Sequence, residues 1–177
     1  MAKAIFVDSC AFDELFKHGI EPGRDLDPKE FQLLVTDAVL RELRDIPERA
    51  NEPGKKAYIE RISRSDEILD RGYFGFGPGS YNFGGGFFAE ESQTDYLQST
   101  ADQLGKERRS GYPKNATDRL LLSYAIVFAV LTNEPTLGNR VLMDKAIERG
   151  ATVIRMLDFD PGSETFAEFL RRHFPSS

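Results

Sequence analysis

The sequence predicts a single α/β domain over residues 1–177, built as three layers α/β/α around a central, mainly parallel sheet. Three observations point there. Its short apolar runs are continuous rather than alternating, as expected of strands covered on both faces. They alternate with segments whose apolar residues recur at helical spacing, the pattern of parallel sheets joined by helices. At 177 residues, 40% hydrophobic and 29% charged, the chain also has enough apolar material for one core.

Residues 4–7 (AIFV) form the first strand and lead directly into Asp8-Ser9. Asp8 is then either an acid at the strand's carboxyl edge or a turn or helix-cap residue. Ser9 and Cys10 either line the same edge or cap and pack. Residues 11–18 (AFDELFKH) predict a short amphipathic helix with Phe12, Leu15 and Phe16 inward, ended by Gly19. The acidic, Pro- and Gly-bearing residues 20–30 read as a loop, and residues 31–35 (FQLLV) as the second strand. Thr36 or Asp37 caps a helix over 38–44 whose Val39 and Leu43 share a face. Glu42 lies one turn into that helix, either leaning over the strand's end or simply solvated.

A helix is predicted over residues 55–69, with Ile59, Ile62 and Leu69 inward and an ordinary charged face. The stretch 72–88 (GYFGFGPGSYNFGGGFF) interleaves aromatics with glycines, which supports no regular element. It reads as an insertion between helices, whose rings either stack on bases, dock on a partner protein or fold back onto their own surface. In residues 94–106, Leu97, Ala101 and Leu104 recur at helical spacing. Lys106, Arg108, Arg109 and Lys114 follow as a basic cluster, with Arg119 just beyond. Such cations either neutralise phosphates or decorate a helix end, where the dipole favours them.

Residues 115–134 (NATDRLLLSYAIVFAVLTNE) carry an apolar run too long for one strand. Arg119 and Ser123 interrupt it, and it falls short of the about 20 apolar residues that span a bilayer. It divides instead into a buried helix starting near Asp118 and a buried strand ending in Thr132-Asn133-Glu134. Beyond Pro135, a helix over 137–149 turns Val141, Leu142 and Ala146 inward and stops at Gly150. Residues 151–157 give the last strand, and Ser163 caps a final helix bearing Phe166, Phe169 and Leu170.

Composition narrows the function. The net charge of −6 and pI near 5.1 argue against a coat that holds nucleic acid by charge alone. They do not oppose a metal-dependent nuclease, whose cations partly neutralise its own acids. The single cysteine, Cys10, excludes an internal disulfide framework and a cysteine-rich zinc site, and points to a reducing, cytoplasmic setting. His18 and His173 are too few and too far apart for a histidine-based metal centre. No secretory signal or membrane segment is expected.

Four acids now share one description. Asp8 closes the first strand, Glu42 follows the second, Asp118 opens the helix before the next strand and Glu134 closes it. Ligand sites of open α/β sheets gather at carboxyl ends of strands, and converging carboxylates there suit hard cations such as Mg²⁺ or Mn²⁺.

Through VDSCAF, TDAVLREL, NATDRLLLSYA and VLTNEPTL followed by AIERGATVI, the chain resembles the PIN-domain ribonucleases. The resemblance spans most of the chain outside the 72–88 insertion. It implies a three-layer fold and Mg²⁺- or Mn²⁺-dependent hydrolysis of single-stranded RNA, leaving a 5′-phosphate and a 3′-hydroxyl. Asp8, Glu42 and Asp118 match the family's core acids, with Glu134 completing the catalytic and metal-binding set. Glu134 stands where the family commonly has the aspartate of a Thr-x-Asp motif. Its longer arm moves the carboxylate outward, so Asn133 is the alternative donor. Thr132 and Ser9 match hydroxyl positions that support the acids. Lys106, Arg108, Arg109, Lys114 and Arg119 become the candidate RNA contacts.

Many small members of the family are toxins, so an antitoxin partner, another protein partner or a homodimer also follows from the resemblance. The alternative is a catalytically degenerate PIN module acting as an RNA- or protein-binding scaffold. A phosphatase-like enzyme with Asp8 as nucleophile is a third class, but no DxDx(T/V) loop follows Asp8.

Overall fold

In the computed structural model, which describes residues 2–44, 52–63, 68–70, 72–74, 86–88, 90–106 and 115–174, the apolar runs become strands of one parallel sheet. β1 (Lys3–Val7) buries Ile5, Phe6 and Val7 completely, as a strand covered on both faces must. α1 (Ala11–Lys17) ends at Gly19, whose φ of +63° is a conformation that glycine adopts without Cβ strain. The segment read as loop contains a single helical turn, α2 (Pro22–Asp25), begun by proline at its first position. β2 (Phe31–Val35) follows. Thr36 then caps α3 (Asp37–Arg44) by accepting the Val39 N–H at 3.3 Å, which turns Val39 and Leu43 inward as expected.

α4 (Lys55–Ser63) is shorter than the helix expected over 55–69. Leu69 belongs instead to β3 (Ile68–Asp70), a three-residue strand too brief to leave a periodic signal. The ends of the aromatic insertion also depart from expectation, because β4 (Gly72–Phe74) and β5 (Gly86–Phe88) pair in parallel. The expected helix over 94–106 begins earlier, as α5 (Glu91–Ser99), where Glu90 and Gln93 form a reciprocal capping box. It stops before Ala101, and residues Ala101–Gln103 form a 3-10 turn.

α6 (Ala116–Val127) and β6 (Ala129–Thr132) divide the long apolar run as the sequence predicts, with only Phe128 between them. Asn115 precedes α6 in a left-handed conformation (φ 67°), which asparagine tolerates better than most residues. α7 (Arg140–Ile147) is capped by Asn139, whose side chain accepts the Leu142 N–H at 3.0 Å. That cap sets the helix so that Leu142, Met143 and Ala146 face inward while Val141 is 46% exposed, correcting the expectation for Val141. β7 (Thr152–Arg155) completes the sheet. Thr165, not Ser163, caps α8 (Phe166–Arg171), through a capping box with Glu168. No helix is long and apolar enough to cross a membrane among the described residues.

The sheet order is β3-β2-β1-β6-β7, and every neighbouring pair is parallel. α4 packs on α1 and α3, while α6 packs on α5 and α7. With the right-handed crossovers that parallel strands almost always take, this strand order puts the two groups on opposite faces, giving the expected α/β/α layers. Phe6 of β1 stacks on Tyr124 of α6 with centroids 4.1 Å apart and planes 7° from parallel, locking the long helix over the central strand. From β1 the chain steps outward to β2 and β3, then returns to the other side of β1 for β6 and β7. The strand order therefore reverses between β1 and β6. Leu131→Ala, at that fully buried seam, is expected to destabilise by about 2–5 kcal/mol. Val141→Ser should stay within about 0.5 kcal/mol of wild type. Urea unfolding of both variants checks the assignment of the two faces.

Candidate functional site

Where strand order reverses, the flanking loops leave opposite faces and open a crevice at the carboxyl ends of the strands. Here the order reverses between the end of β1, which runs into Asp8, and the end of β6, which runs into Asn133 and Glu134, so this is where such a crevice is expected. Val7 pairs with Leu131, and the Asp8 N–H donates to the Leu131 carbonyl at 2.9 Å, so the two strand ends are held level.

Asp8 is 3% exposed, and both its oxygens are occupied. The Ser9 N–H donates to Oδ1 at 2.7 Å. The Thr132 hydroxyl and the Cys10 thiol each donate to Oδ2 at 2.8 Å. Thr132 in turn accepts the Glu134 N–H at 3.1 Å, which folds the chain back after β6. Cys10 accepts the Asn133 N–H at 3.1 Å and lies 3.3 Å from the Thr132 hydroxyl. Burial, reinforced by the Asp8 charge beside it, pushes the Cys10 thiol up to about 12.

The ligand atoms of Asp8, Cys10 and Glu134 all lie within 4.8 Å of one another. Glu134 is exposed overall, yet partial burial, then the Asp8 and Glu42 charges, raises its pKa above the ordinary carboxylate value of 4.5. Its neighbour Asn133 turns elsewhere. The Asn133 amide donates to Glu14 of α1 at 3.3 Å, and its Oδ1 is buried with no hydrogen-bond donor among the described residues. Of the two donors the sequence left open at this strand end, Glu134 is the one brought to Asp8.

Glu42 and Asp118 stand outside the three-residue group but on its flanks. Glu42 is exposed on α3, with Oε2 accepting from the Ser9 hydroxyl at 2.8 Å and Oε1 from the Thr117 hydroxyl at 3.0 Å. Asp118 follows Thr117 in the first turn of α6, where a carboxylate suits the helix dipole. The loop after β6 lies directly against it. A Cβ built on Gly138 would sit 3.0 Å from the Asp118 Cβ and 3.2 Å from Leu142 Cδ1.

Among the candidate RNA contacts, Lys106 is exposed, while Arg108, Arg109 and Lys114 fall outside the described residues. Arg119 is tied into the fold: its Nε donates to the Thr100 hydroxyl at 2.9 Å and its Nη2 to the Leu97 carbonyl. It clamps α6 to the end of α5, where free carbonyls attract cations. The site also contains residues that sequence spacing did not single out. Thr117 and Gly138 act across the crevice, and no periodicity signals such contacts; Cys10 was recognisable only as a neighbour of Asp8.

No protein-family model matches the chain, and neither a curated protein nor a solved structure matches it.

Two outcomes follow from this geometry. Gly138→Ala forces an L side chain to φ +74° against Asp118 and is expected to cost about 2 kcal/mol, read as a lowered denaturant midpoint. A thiol raised to about 12 stays protonated at neutral pH, so the native protein should react only slowly with a disulfide reagent. Guanidinium should release rapid labelling of the same single cysteine; fast labelling of the folded chain would refute the half-buried, hydrogen-bonded geometry of the thiol.

Proposed function

We propose that the chain is a Mg²⁺- or Mn²⁺-dependent endoribonuclease that hydrolyses phosphodiester bonds in single-stranded RNA. Asp8 and Glu134 hold the cation at the crevice, with Glu42 and Asp118 closing the set. The observation that carries this reading is the meeting of a buried and a rim carboxylate at the switch point, where partial burial and then the Asp8 and Glu42 charges raise the pKa of Glu134. A cation between them would relieve that repulsion. The donor chemistry fits a hard ion, because the available ligands are carboxylate oxygens while Cys10 keeps its proton and serves Asp8 as a hydrogen-bond donor.

A bound divalent ion would supply charge neutralisation at the phosphate and lower the pKa of a water. The chain's own residues do the rest. Thr132, Ser9 and Cys10 hold the Asp8 carboxylate in one orientation, so little rearrangement is needed when ligands are required. Lys106, with Arg108, Arg109 and Lys114, is the basic segment leading into α6 and is assigned to the phosphates of the RNA strand.

Asp8→Asn should abolish Mn²⁺-dependent cleavage of a single-stranded RNA, exceeding the ~10–100-fold that outer residues of a metal site cost. Undiminished cleavage would sink the site assignment, and a wild type that takes up no Mn²⁺ at millimolar concentration would favour the scaffold reading. Glu134 adds a pH signature. Its raised pKa means that, well above 4.5, ionised Glu134 is less favourable in the fold than in the unfolded chain, a cost that fades as pH falls through the raised value. Metal-free Glu134→Gln should therefore melt higher than wild type at pH 7, with the difference shrinking toward pH 4. Scanning calorimetry at the two pH values measures it.

A further inference from the structure

The structure assigns to Thr117 the positioning of Glu42, an inference that rests on the metal-site reading above. An exposed glutamate on a helix surface ordinarily samples many rotamers, and fixing one has an entropic cost. Glu42 is fixed from both sides. The Ser9 hydroxyl holds one oxygen at 2.8 Å and the Thr117 hydroxyl holds the other at 3.0 Å, from positions 33 and 75 residues away in the chain. Each hydroxyl adjoins an acid of the site, because Ser9 follows Asp8 and Thr117 precedes Asp118. The fork thus ties the direction of Glu42 to the other two carboxylates.

The type of donor separates this contact from an ordinary tie between elements. Three ties between distant elements use cations instead: Arg171 on Glu30 at 2.6 Å, Arg61 on Glu21 at 2.5 Å and buried Lys55 on Asp13 at 2.9 Å. Among the described residues, both donors to Glu42 are neutral. A hydroxyl supplies direction without cancelling charge, which leaves the carboxylate fully available to a cation, whereas a guanidinium would compete for it. Thr117 is also not spent on its own helix. It lies inside the first turn of α6, beyond the capping position held by Asn115, and its hydroxyl crosses to α3.

Calorimetric titration with Mn²⁺ alone tests the assignment. Thr117→Val keeps the branched shape and removes the hydroxyl; Thr117→Ala removes it without a branch to repack. Each should weaken Mn²⁺ binding about tenfold, and Thr117→Ser should bind within about twofold of wild type. In a Glu42→Gln background, Thr117→Val should change nothing further. Wild-type affinity in both hydroxyl-free variants overturns the assignment, as does the same tenfold loss in the Glu42→Gln background; either result leaves the Asp8 site standing. Failure of the wild type to take up Mn²⁺ at millimolar concentration overturns both readings together.

Discussion

Everything at the crevice depends on the parallel seam between β1 and β6. These strands are distant in sequence, yet their register sets Val7 beside Leu131, and a single backbone bond from Asp8 to Leu131 levels their ends. Parallel pairing brings like ends together, so the residues that follow each strand emerge side by side. A slip of one residue would send Asp8 to the other face of the sheet and separate it from Thr132. The stacking of Phe6 on Tyr124 opposes that slip, because it fixes the central strand against the helix that feeds β6. The core therefore determines the site's geometry more than the site's own hydrogen bonds do.

Carboxylates are held differently at the crevice and in the ties between elements. Asp13, Glu21 and Glu30 meet lysine or arginine, and those pairs join elements across the fold. At the crevice, carboxylates meet hydroxyls, a thiol and a backbone N–H. Neutral donors orient an anion but leave its charge in place. Partial burial first, and then the Asp8 and Glu42 charges, hold the pKa of Glu134 above the ordinary carboxylate value. Concentrating carboxylates at one sheet edge opposes stability, and perturbed acids of this kind gather at functional sites.

Much of this was legible in the sequence. Strands buried on both faces declare themselves as continuous apolar runs, which is why β1, β2, β6 and β7 stand close to their expected places. Of the two caps the sequence offered for α3, Thr36 is the one used, whereas the cap expected at Ser163 falls two residues later, at Thr165. β3 escaped because three residues at a sheet edge carry no periodicity. Asp8, Glu42, Asp118 and Glu134 were recognisable as acids at element ends, since position along an element is a local property. Their partners were not. Thr117 and Gly138 reach the site across gaps of tens of residues, and such contacts exist only once the register is set.

Glu134, at the end of β6, illustrates the same dependence. In an extended chain, Glu134 would carry its carboxylate away from Asp8, and Asn133 would be the better-placed donor. The Thr132 hydroxyl changes this by accepting the Glu134 N–H while donating to Asp8, which folds the backbone back over the strand end. Successive side chains then part company: Asn133 goes to Glu14 on α1, and Glu134 goes to Asp8. The longer arm is compensated by a tighter turn. Glu134 is thus brought beside Asp8 by the threonine two positions before it, and the two are best understood as one unit.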